Sequence, residues 1–160
     1  MTPVIIIGAG MAGLACARRL ADAGMAPVVL DKGRGIGGRV ATRRTGDLQF
    51  DHGAQYVNAH GARFATVLAA LQTAGSVTKW GDGTGRHHSV GVPGMSAIPK
   101  ALGVGLDIRL NTQVARLEPE ADGWRLHLAE TTLRAALCGH RARPASVRLA
   151  GCRSSAGGGP

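Results

Sequence analysis

Two periods of apolar residues succeed one another along the start of the chain. Val4-Ile5-Ile6-Ile7 is a continuous β-branched run, suited to a strand buried on both faces of a parallel sheet. From Met11 to Ala23 the spacing becomes helical: Met11, Leu14, Ala15, Ala17 and Ala21 supply a small-residue face that can lie close to a sheet, and Gly24 is placed to end the helix. Pro27-Val28-Val29-Leu30 predicts a second parallel strand. The three pieces make a β-α-β unit of about thirty residues, the length of a dinucleotide-binding half.

Beyond it the pattern shortens. Phe50 to Val57 mixes polar and apolar residues, and Arg63 to Ala74 reads as a helix with Phe64, Val67, Leu68 and Leu71 on one core-packing face. Val77 to Trp80 and His87 to Val92 predict a hairpin around Gly81-Asp82-Gly83-Thr84-Gly85. Within it, His87 and His88 are expected as strand residues, one on each face, with no partner at metal-ligand spacing. Pro93-Gly94-Met95-Ser96 opens a short helix through about Leu102. Leu106 to Leu110, Gln113 to Leu117 and Trp124 to Leu128 read as strands, with Asp122-Gly123 a hairpin turn. After Glu130 no strand or helix is predicted.

The 160 residues suffice for one ordinary core, and no apolar run approaches a membrane span. Nothing resembling a basic leader precedes the first strand, so a cytoplasmic location without membrane attachment is expected. Cys16, Cys138 and Cys152 lack metal-ligand spacing; neither a disulfide nor a metal site is expected. The net charge of +9 is unevenly spread, since all ten acidic residues lie at or before Glu130. Arg134, Arg141, Arg143, Arg148 and Arg153 stand without acidic company. A basic nucleic-acid-binding tail would follow from charge alone, but the tail has no aromatic residue for stacking and no helical period, which argues against it. Residues 131–160 are expected to be a disordered basic tail or a frame-shifted product. Under chosen codons, Ala136 to Cys152 read one base later becomes an apolar strand and turn, the third strand that a nucleotide domain would need.

Candidate chemistry begins at Gly8-Ala9-Gly10-Met11-Ala12-Gly13, lying between the predicted strand and helix. Gly8 makes the tight turn, Gly10 admits a pyrophosphate to the backbone amides, and Gly13 lets helix and strand pack closely. The helix N-terminus adds partial positive charge. Asp31 ends the next strand eighteen residues after Gly13, the place of an acceptor for ribose hydroxyls, and disfavours a 2′-phosphate. A second turn, Gly37-Gly38-Arg39 with Thr42 close by, offers further amides and a cation beside the pyrophosphate and ribityl chain, which points to a flavin dinucleotide. An NAD-dependent dehydrogenase would leave that turn without a purpose. Lys32, Arg34, Arg43 and Arg44 add anion-binding capacity. In Phe50-Asp51-His52-Gly53-Ala54-Gln55-Tyr56, His52 is a candidate acid or base, while Gln55 and Tyr56 are candidates to present hydrogen bonds or a ring near the cofactor.

These three segments, with Pro93-Gly94-Met95-Ser96-Ala97-Ile98-Pro99-Lys100-Ala101-Leu102, resemble bacterial renalase-like proteins of the flavin amine oxidase superfamily. The likeness covers about Met1 to Ala129. It implies non-covalent FAD, with its adenine half on the β-α-β unit and its ring at a boundary with a mixed-sheet substrate domain. The implied reaction passes hydride from a dihydronicotinamide isomer, or from an amine, to the flavin, which dioxygen reoxidises with release of hydrogen peroxide. It also implies a longer chain, so a truncated, catalytically silent nucleotide-binding fragment is the alternative expectation. The expected organisation is α/β: a Rossmann-like FAD-binding β-α-β unit over 1–60, part of a mixed-sheet substrate domain over 61–130, and the tail over 131–160.

Overall fold

Alternation along two short strands sorts the core into two layers. The computed structural model describes residues 3–140 and 148–149. Strands β1 (Val4–Ile7) and β2 (Val28–Leu30) pair in parallel, and successive side chains on each point to opposite faces. Ile6 and Val29 face α1 (Met11–Asp22), where they pack with Ala9, Leu14, Ala17 and Leu102. Ile5 and Leu30 face the other way, against Val114, Leu117, Leu126 and Ala135. A sheet covered on both sides has no polar face, which explains the unbroken apolar run at Val4–Ile7.

The rest of the chain is laid around this pair. After β2 come the hairpin β3 (Thr42–Thr45) and β4 (Leu48–Asp51), then α2 (Ala62–Thr73). A second hairpin, β5 (Val77–Gly81) and β6 (His87–Gly91), leads to α3 (Ala97–Gly103). Then β7 (Asp107–Arg109) joins β2 in parallel, while β8 (Arg116–Glu120) and β9 (Gly123–His127) form an antiparallel pair. The parallel sheet has the order β11-β1-β2-β7, and the second has the order β10-β9-β8-β12. A third cluster, Val40, Leu71, Val77, Met95 and Ile98, binds the second glycine turn to α2, β5 and α3.

Several predicted elements stand as expected: the β-α-β unit, the 77–91 hairpin, and the Val67, Leu68 and Leu71 face of α2. Three differ. Ala15 is exposed, because the face of α1 turned to the sheet is narrower than its small residues suggest. The segment before Phe50 forms the β3–β4 hairpin, turning at Gly46 with φ +57°. And the chain does not lose structure at Glu130. β10 (Thr132–Ala135) continues the meander beside β9, and β11 (Leu137–His140) pairs with β1 in register Val4↔Leu137 to Ile7↔His140. The place of a third strand in the nucleotide sheet is thus filled by the chain as it stands. Strand pairing across more than 130 residues leaves no local period to read. β12 (Arg148–Leu149) lies beside β8; the expectations for the remainder of the tail fall outside the described residues.

Candidate functional site

Each glycine of the first loop has its own reason. Gly8 sits at φ +105°, a conformation that side chains rarely adopt, and its amide donates to the Leu30 carbonyl oxygen at 2.7 Å. At Gly13 a Cβ would overlap the Gly8 carbonyl oxygen, so this glycine is required by the packing of α1 on the loop. Gly10 is different. Its backbone is extended (φ −81°, ψ 175°), open to any residue, and a Cβ there would meet nothing within 4 Å. No protein contact accounts for glycine at that position, which lines an open cleft. Gly10 is also the N-cap of α1 and brings no side-chain acceptor, so the first amides of the helix face that space without an intrahelical partner.

Asp31, at the end of β2, accepts the Ala9 amide on Oδ2 at 2.6 Å and the Gly33 amide on Oδ1 at 2.7 Å. Its carboxylate ties the glycine loop to the strand end, and each oxygen retains a lone pair for a further donor. A contact absent from any local motif braces it: Asn111, at φ 53°, donates its amide to the Gly33 carbonyl at 2.9 Å, and Thr112 to that of Asp31 at 2.8 Å.

The second glycine turn meets the first. The Gly37 amide donates to the Ala9 carbonyl at 2.8 Å, and Gly10 and Gly37 form a parallel bridge. Gly37 and Gly38 take φ +116° and +56°. A Cβ on Gly53 would overlap the Arg39 carbonyl oxygen, which also accepts the Ala54 amide at 2.8 Å. The segment after Asp51 is therefore pressed onto the turn. Thr42 is engaged here as well: its hydroxyl donates to Asp51 Oδ1 at 2.5 Å and accepts the Ser96 amide at 2.9 Å, while Asp51 Oδ1 also accepts the Met95 amide at 3.1 Å. This node anchors the start of α3 beside the turn.

Between the turns lies a cleft of about 840 Å³, lined by Gly8, Gly10 to Gly13, Cys16, Gly37 to Val40, Gly53 and Ala54. That is towards the upper end of the roughly 300–1,000 Å³ of small-molecule and cofactor sites. Its donor set is backbone amides plus Arg39, and its floor is apolar (Ile6, Ile7), a match for a dinucleotide. Lys32 and Arg34 are exposed on the β2 turn, and Ala9 is fully buried behind the loop. His52, Gln55 and Tyr56 are all exposed on the segment that continues from Gly53 and Ala54. Among the described residues, no group of three or more His, Cys, Asp or Glu is placed to hold a metal, and no helix is long and apolar enough to cross a membrane.

One functional-looking residue escaped the sequence. His88 is buried at 8% exposure, and its ring stacks on Tyr56 with centroids 4.0 Å apart. Its Nε2 lies 3.3 Å from Asp82 Oδ2 and its Nδ1 about 3.0 Å from the Asn58 amide. Asp82 is held down to about 2, first by the Thr84 hydroxyl and amide and then by His88. The cross-strand pair Trp80↔His88 is the signal available from the hairpin register.

The fold is α/β, with a Rossmann-like β-α-β unit beside the cleft. The description of NAD(P)-binding Rossmann-like domains matches residues 6–71. The 15-cis-phytoene desaturase of Synechococcus elongatus is 50% identical over 44 residues, 28% of this chain and 9% of the desaturase. A putrescine oxidase double mutant redesigned in its cofactor binding superposes with TM-score 0.68 at 13% identity, over 86% of this chain and 57% of the oxidase. The wild-type oxidase bound to putrescine gives 0.64 at 14% identity. A Diels-Alderase of pyrroindomycin biosynthesis gives 0.62 at 17%, over 88% of this chain and 32% of the other. The chain thus shares the α/β fold of putrescine oxidase while spanning little more than half its length.

Proposed function

We propose that this chain binds FAD and serves an oxidoreductase of renalase or amine-oxidase type, with a dihydronicotinamide isomer or an amine as reductant and dioxygen as oxidant. The observation that carries the reading is Gly10. Glycine there has no steric reason within the protein, and the open space beside it adjoins unpartnered helix amides on one side and the Gly37-Gly38-Arg39 turn on the other. One glycine turn suits any dinucleotide; two turns hydrogen-bonded to each other suit a pyrophosphate with a long group running on past Gly38. The fold shared with putrescine oxidase and the short stretch shared with a desaturase support the same class.

In this reading the amides of Met11 and Ala12 and the Arg39 guanidinium receive the pyrophosphate, and Asp31 accepts the adenosine ribose hydroxyls on its free lone pairs. FAD, when bound, supplies the hydride acceptor and the route of the electrons to dioxygen. Gly53 and Ala54 form the wall on the side of the flavin ring, and His52, Gln55 and Tyr56 orient the substrate or hold a proton there. The test is anaerobic mixing of the FAD-loaded protein with 2- or 6-dihydro-NAD(P) and, separately, with an amine. Rapid bleaching of the flavin by the dihydronicotinamide isomers is the expected result. Bleaching by the amine alone would move the protein to the amine-oxidase side, and bleaching by neither would overturn the oxidoreductase reading.

A further inference from the structure

Two aromatic rings stand half open beside the cleft, and the protein holds them there. Trp80 and His88 are directly opposed across the β5–β6 hairpin and so share one face of it. Val57 and Ser89 exchange amide hydrogen bonds at 2.8 and 3.0 Å, which brings the neighbouring Tyr56 against His88. The His88 ring lies 4.0 Å from Tyr56 and 5.8 Å from Trp80, and the two outer rings are 6.5 Å apart at 33°. Contacts at both ring nitrogens, to Asn58 and Asp82, fix the imidazole, and Asp82 is itself fixed by Thr84 at 2.6 and 2.8 Å.

We propose that Tyr56 and Trp80 form a stacking surface for a flat cationic ring, with His88 as the positioning residue beneath it. Here it is His88 that is buried, while Tyr56 and Trp80 stay 43% and 48% exposed. The faces of both rings are electron-rich and attract a cation. The Asp82 carboxylate adds a negative charge at the edge of the cluster, and Lys79 pairs with Ser89 and so points to the other face of the hairpin. A flat cation uses ring area and charge together; a neutral ring or a compact aliphatic cation uses only one. The surface adjoins the cleft, since Tyr56 follows the wall residue Ala54 by two positions, at most about 7 Å of chain.

The test needs no flavin, so its outcome is independent of the FAD reading. The full chain is titrated with N-methylpyridinium while the indole N–H signals are followed by NMR, the Trp80 signal being the one lost in Trp80→Leu. A saturable shift of Trp80, with Trp124 unmoved, is expected. Tyr56→Leu is expected to weaken binding about tenfold, the equivalent of one good cation–π contact. Asp82→Asn, on the exposed hairpin loop, is expected to weaken it several-fold and gives the same comparison should Tyr56→Leu not fold. Absence of a saturable shift, an equal response to toluene or tetramethylammonium, or affinity unchanged in both variants would overturn the proposal.

Discussion

Gly10, the N-cap of α1, and Gly13, in its first turn, sit three residues apart in opposite surroundings. Gly13 is filled by the protein, because a Cβ there collides with the backbone of Gly8. Gly13→Ala is therefore expected to destabilise the fold by about 1–3 kcal/mol, the usual cost of forcing extra volume into a packed site, and thermal unfolding reads it. Gly10→Ala meets nothing; its thermal midpoint should match the parent, while FAD affinity falls at least tenfold in an equilibrium titration. Equal midpoints for both variants would contradict the packing assigned to Gly13. The pattern Gly-x-Gly-x-x-Gly was legible at once, and so was the acid at position 31. What the sequence did not disclose is that Asp31 first serves the loop itself, through Ala9 and Gly33.

At the scale of elements, the Thr42–Asp51 node joins the β3–β4 hairpin to the start of α3. Thr42→Val keeps the shape and removes the hydroxyl that serves both Asp51 and the Ser96 amide. A loss of about 1–3 kcal/mol in denaturant unfolding is expected, because a partly buried carboxylate and an amide each lose a partner. The 77–91 hairpin carries a second prediction. Asp82 is depressed from 3.8 to about 2 by Thr84 and then His88. A carboxyl whose folded value is lowered stabilises above its unfolded value and loses that contribution as pH falls through the folded one. The difference in stability between the parent and Asp82→Asn should thus shrink as pH falls from 3.8 to about 2. A difference independent of pH across that window would reject the contacts to Thr84 and His88 as its source. Both nodes lay beyond sequence reading for one reason: Thr42 meets Ser96, and Asp82 meets His88, only once hairpins set the register. The hairpin at 77–91 announced itself by its glycines and β-branched residues, whereas β3 is polar throughout and the two apolar residues of β4, Leu48 and Phe50, stay exposed.

At the scale of the whole molecule, the parallel sheet is assembled from segments far apart in the chain. β1 and β2 were legible because a helix connects them directly. β7 read as a strand, but within the span assigned to a substrate domain, and β11 was not read at all. Both are edge strands of three or four residues, whose partners, not their composition, define them. The pairing of β7 with β2 places the Asn111–Thr112 brace beneath Asp31. The same assembly sets the two glycine turns side by side, and on that juxtaposition the functional account stands.

The measurement that tests it most directly is the visible absorption spectrum of the purified chain after incubation with FAD and desalting. A retained two-band flavin spectrum is expected, lost in Gly10→Ala while that variant keeps its fold. A protein that emerges colourless although fully folded would contradict it, showing that the paired turns do not hold the cofactor.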